Sequence, residues 1–175
     1  MGIGFADYGL ERFQITPLII SSGELLKQVT PSPTLQALWP TANLAIFVPF
    51  TLSEMVVIKR IIVLIGARTG GNIDVGLYDA NGNRLVSSGS TLLGTASRAQ
   101  FFDIADIQLN AGRYYMAEAE SAETPYLGYT VDIGWPSMLG VREMAAAFPL
   151  PATATFTDNV ASSFFPVLAV TLTAA

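Results

Sequence analysis

The stretch from Asn72 to Ser90, NIDVGLYDANGNRLVSSGS, limits what this chain can fold into more than any other. Ile73, Val75 and Leu77 alternate with Asn72, Asp74, Gly76 and Tyr78, the period-two pattern of a strand with one buried face. Asp79-Ala80-Asn81-Gly82-Asn83 supplies a turn, since Asp and Asn tolerate left-handed backbone and Gly adopts it without steric cost. Arg84 to Ser88 then runs back as the partner strand. This is a complete β-hairpin, and it sets an antiparallel frame for the rest.

Further strands follow the same logic. Asn43 to Phe50 places Leu44, Ile46, Val48 and Phe50 on one face. Met55 to Ile65 is apolar on both faces, interrupted only by Lys59 and Arg60, and reads as a central strand or two consecutive strands. Gly66 to Gly71 is a glycine-rich turn without the Gly-Lys-Ser/Thr ending of a phosphate loop. Ala99 to Ile104, Arg113 to Ala119, Leu127 to Val131 and Phe164 to Thr173 are the remaining strands. Ser137 to Phe156 reads as a long loop, with a helical turn over Val141 to Ala147 stopped by Pro149 and Pro151. Turn clusters spaced this way, with no helix long enough for a crossover, predict an all-β fold: a single antiparallel jelly-roll-like β-sandwich over residues 43–175.

Residues 1–42 differ. Pro17, Pro31, Pro33 and Pro40 punctuate an apolar segment, with room for a helical turn at Gly23 to Val29. It is too apolar for a disordered tail and reads as an extended arm. The arm lies across its own sandwich or across a neighbouring subunit; the residues leave both open.

Composition removes several function classes. The chain has no cysteine and no histidine, so disulfides, thiolate metal sites and Ser-His or Cys-His nucleophile systems are absent. A net charge of −5 with 13% charged residues argues against direct nucleic-acid binding, which needs clustered Lys and Arg. No membrane span is expected, since the best apolar run, Met55 to Ala67, is short and split by Lys59-Arg60. No basic segment followed by an apolar run opens the chain, so no secretory leader is expected. Hydrophobic residues make up 51%, high for a free monomer, and point to a surface covered by copies of the chain or by a partner.

Three groups of polar residues invite chemistry. Asp79-x-Asn81-Gly82-Asn83 superficially matches the start of a calcium loop. Its glycine falls at the fourth place rather than the sixth, however, and Ser90 stands where a bidentate Glu is needed, so the turn reading is preferred. Asp103 and Asp106, three apart on a strand, should point to opposite faces, which spoils a glycosidase-type carboxylate pair. Glu118 and Glu120 share a face but read as a solvated edge that blocks aggregation. No catalytic residue, metal or cofactor is expected.

Three pieces carry a family resemblance: NLAIFVPFTLSEMVVIKRIIVLIGARTGGNIDVGLYDANGNRLVSSGST, the turn Leu109 to Tyr115 leading into Met116-Ala117, and the run AAFPLPATAT from Ala146 to Thr155. Over about residues 40–172 the chain resembles uncharacterised jelly-roll virion structural proteins of tailed bacteriophages. The resemblance implies a non-enzymatic, trimeric virion component assembled in the bacterial cytoplasm, on the head or on the tail. The first expectation is a capsid decoration (cement) protein that stabilises the major capsid protein lattice. Its arm would anchor through Phe5, Tyr8, Phe13, Ile15, Leu18, Ile19 and Ile20. The alternative is a tail-fibre tip that stacks host glycans on Tyr126, Tyr129 and Trp135.

Overall fold

The structure, a computed structural model, describes residues 18–21, 37–67, 69–123, 126–127, 129–130, 137, 140–158, 164–166 and 168–173. Its strands are β1 (Leu18–Ser21), β2 (Ala37–Leu38), β3 (Ala45–Leu52), β4 (Val56–Ile65), β5 (Asn72–Asp79), β6 (Arg84–Ser87), β7 (Thr91–Leu92) and β8 (Arg98–Leu109). They continue as β9 (Gly112–Glu120), β10 (Tyr126–Leu127), β11 (Tyr129–Thr130), β12 (Arg142–Met144), β13 (Thr157–Asp158), β14 (Phe164–Phe165) and β15 (Leu168–Thr173).

Two main sheets form. In sheet A, β4 is central, flanked by β8 on one side and β15 on the other, and the small β10–β2 pair joins it at Ile65. Sheet B runs β13-β12-β3-β9-β5-β6, with β7 also on β5. Chain order alternates between the sheets, β3 in B, β4 in A, β5 in B, β8 in A, β9 in B, so consecutive strands close the sandwich on itself. The all-β, jelly-roll-like architecture is therefore observed. Every pairing is antiparallel except β1, which lies parallel to β15 at the edge of sheet A. Residues 18–21 of the arm thus pair with the chain's own sheet.

Period-two alternation builds the core between the sheets. Ile46, Val48, Phe50 and Leu52 of β3 and Ile73, Val75 and Leu77 of β5 meet Ile58, Ile61, Val63 and Ile65 of β4, with Phe102 and Leu168. One irregularity explains the two charges inside β4. Its register slips between Ile58 and Arg60 against β8, and the pairing with β15 slips at the same level. The extra residue lets Ile58 and Ile61 both face the interior while Lys59 and Arg60 both face solvent. The same slip overturns the expected geometry of Asp103 and Asp106. Both lie on the exposed face, Asp103 paired with Arg60 and Asp106 with Lys59, whose Nζ is 3.3 Å from Asp106 Oδ2.

Sheet B is buried on both faces, which corrects the one-sided hairpin. Asp74, Gly76 and Tyr78 of β5 are as enclosed as Ile73, Val75 and Leu77. Their cover is the segment 144–156. In place of the expected helical turn at Val141 to Ala147, Arg142–Met144 forms β12 against β3. The chain then crosses the sheet, and Ala147, Leu150, Ala154 and Phe156 pack on Ala45, Phe47, Tyr78, Tyr115, Ala117 and Ala119. Phe47 meets Tyr78 and Phe156 edge-on, with ring centroids 5.1 and 5.0 Å away. The alanines of the sheet leave room for an extended segment to lie flat on it.

The cover is fastened by main-chain bonds along the hairpin. Arg84 N donates to Ala152 O and Ala154 N to Gly82 O, at 2.9 and 2.7 Å. Gly82 has φ +87°, and a Cβ there would sit 2.5 Å from Ala154 O, so no other residue fits under the cover.

Candidate functional site

On β9, Met116 faces the core between the sheets, so Glu118 and Glu120, two and four residues on, face it too. Both side chains are fully buried. On the flanking strands Ile46 and Val75 lie opposite Glu118, and Ile73 lies opposite Glu120. No other residue among those described supplies a hydrogen bond to the four carboxyl oxygens; the two carboxyls interact only with each other. The expectation of a solvated edge is therefore wrong. β9 is an interior strand between β3 and β5, and its end is tied down. Asn43 N donates to Glu120 O at 2.7 Å, Ser121 N to Asn72 O at 2.9 Å, and Asn72 N to Ser121 Oγ at 2.8 Å.

A buried polar group without a partner costs roughly 1–3 kcal/mol, more when charged. Burial accordingly holds both carboxyls well above the ordinary glutamate value of 4.5, and Glu120 is raised further by the charge of Glu118. The two groups are near enough for each to govern the other's proton.

Asp74, on the opposite face of the same sheet, is buried under the 144–156 cover but is supplied with donors. Leu150 N donates to Oδ2 at 3.0 Å and Ser88 Oγ to Oδ1 at 3.3 Å. Burial raises its pKa, while the Leu150 and Ser88 hydrogen bonds and the Arg84 guanidinium oppose the rise. Arg84 in turn donates to Leu150 O, and the Tyr78 hydroxyl donates to Pro151 O at 2.6 Å. These bonds stitch the cover to the sheet, a structural role rather than a chemical one.

The turn at Asp79 satisfies itself. Its carboxylate accepts from Asn81 N at 2.9 Å, Asn83 N at 2.8 Å and Asn83 Nδ2 at 2.9 Å, and the Asn83 bond leads the lowering of its pKa. Asn81 and Asn83 turn their N–H groups toward that carboxylate, so the turn reading holds.

Of the arm residues proposed for anchorage, Leu18, Ile19 and Ile20 lie in β1, their backbone paired with Ala169, Val170 and Thr171. Phe5, Tyr8, Phe13 and Ile15 lie outside the described residues. Tyr126 and Tyr129 fall in β10 and β11, while Trp135 lies outside the described residues. Among the described residues no three His, Cys, Asp or Glu side chains are grouped to hold a metal, and no helix is long and apolar enough to cross a membrane.

Comparison with models of protein families, with curated proteins and with solved structures finds no match.

Proposed function

We propose that this chain is a non-enzymatic structural protein of a tailed-phage virion, a decoration (cement) protein that binds the major capsid protein lattice as an oligomer. The edge of sheet A carries this reading. β1 is the outermost strand, paired only with β15, and its other edge has no strand on it among the described residues. An open edge of this kind accepts a strand from a neighbour, with main-chain bonds giving affinity and side chains giving register. The apolar stretch before it in sequence, with Phe5, Tyr8, Phe13 and Ile15, would supply hydrophobic anchorage. The low charge of the chain is in keeping with a subunit buried in a symmetric lattice.

Immunogold labelling of intact virions with antibody to this chain tests the reading. Gold over the head supports decoration. Gold at the tail end replaces it with the receptor-binding reading and makes Tyr126, Tyr129 and Trp135 the residues to mutate. Intact and disrupted particles that both stay unlabelled refute a virion role.

A further inference from the structure

We propose that Glu118 and Glu120 are a shared-proton latch on the end of the sandwich where β9 finishes. With at least one proton between them that end stays shut; with none it opens, while the rest of the fold stays closed. The proposal is independent of the virion reading. It rests on how the pair is enclosed. The two side chains, two apart on one strand, turn to the same inner face, and both are fully buried. Among the described residues each has only the other to bond with. A carboxyl group donates only when protonated, so that bond exists with one proton or two and vanishes with none.

No neighbour can take the proton's place. The residues opposite the pair on β3 and β5 are Ile46, Val75 and Ile73. Asp74 of β5 faces the other side of the sheet, under the cover. On β4, the central strand of the facing sheet, Lys59 and Arg60 point to solvent, paired with Asp106 and Asp103 of β8. Arg98 of β8 is exposed, β15 carries no titratable residue, and Glu123 in the following loop accepts from Ala42 N at 3.4 Å. Burial therefore drives both ionisations upward, and the second must set two charges side by side in an apolar interior.

The smallest rearrangement that relieves them is local. Glu120 is the last residue of β9, and three bonds hold the strand's end: Asn43 N to Glu120 O, Ser121 N to Asn72 O, and Asn72 N to Ser121 Oγ. The net worth of such bonds is small beside that of an unpaired buried ion. Turning Glu120 out to water separates the charges and releases Asn43. The segment that holds Asn43 also carries Trp39, whose indole is 1% exposed and whose Nε1 donates to Leu44 O at 3.2 Å. Opening therefore uncovers Trp39.

The test uses the full-length protein with Trp135→Phe, which leaves Trp39 as its one tryptophan. Between about pH 6 and about pH 11, acrylamide quenching of Trp39 should rise from that of a buried indole to that of an exposed one, while the β signal in far-UV circular dichroism holds. Glu118→Gln with Glu120→Gln cannot ionise and should keep Trp39 buried across the whole range. Should the double variant fail to fold, Glu120→Gln alone never becomes doubly charged and should do the same. Should Trp135→Phe fail to fold, the Trp39 indole N–H resonance of the wild-type protein, assigned with Trp39→Phe, is followed instead. A Trp39 that stays buried to the end of the range would overturn the latch. So would exposure at the same pH in the glutamine variants, or exposure that arrives only with loss of the β signal.

Discussion

The two faces of sheet B bury carboxyl groups in opposite ways. On the outer face, Asp74 lies beneath a segment some 70 residues away in sequence, and that segment brings the N–H that binds it. On the inner face, Glu118 and Glu120 lie among branched aliphatic residues that bring nothing. Burial alone therefore does not decide what a buried acid does. On the outer face the carboxylate locks a cover in place; on the inner face the pair is a stored liability that protonation relieves.

The largest expected effect tests whether the outer face is a true core. Phe47→Ala, which removes the ring held between Tyr78 and Phe156, should destabilise by about 3–5 kcal/mol in urea denaturation. A loss below about 1 kcal/mol would mean the 144–156 segment is a loosely laid loop. Asp74→Ala should cost about 2 kcal/mol, because the buried Leu150 N–H loses its acceptor. It should also speed proteolysis within 144–156 if the carboxylate fastens the cover.

The inner pair should respond with the opposite sign. At alkaline pH, Glu118→Gln with Glu120→Gln should stabilise the fold by about 1–2 kcal/mol, since it removes buried charge. The sign follows from linkage. Both folded-state pKa values lie above the ordinary 4.5, so the folded protein holds protons that the unfolded chain releases. Their contribution is fully present below pH 4.5 and is lost as pH rises toward the raised values. Wild-type stability should therefore fall with rising pH through that window, and the double variant should flatten the slope. The smallest effect belongs to the exposed ion pairs of β4. Asp103→Asn with Asp106→Asn should leave the melting temperature within about 2 °C.

Period-two alternation made the inner core legible in the sequence, down to the residues of β3 and β5 that face it. The hairpin turn was legible for the same local reason: Asp79, Asn81, Gly82 and Asn83 satisfy one another without help. The outer cover was not. Residues 145–156 carry no periodicity, only small residues and prolines, and their burial depends on meeting Ala45, Ala117 and Ala119 across a sheet formed far away in sequence. The alternation of Tyr115, Ala117 and Ala119 was the available hint that something lies close against that face. Glu118 and Glu120 were correctly placed on one face, but nothing local told which face, and the following polar residues suggested solvent. The slip in β4 hid the common face of Asp103 and Asp106, because a bulge cancels the parity on which such counting rests.

The most direct measurement is the carbon-13 carboxyl shift of Glu118 and Glu120 in the full-length protein, followed from about pH 4, the ordinary carboxylate range, up to about pH 11. Both groups should remain protonated well past pH 4.5, the pair losing its protons in two separate steps. Ionisation of both near 4.5 would contradict the account, because it would mean that water or a donor already reaches the four oxygens and the inner face differs little from the outer.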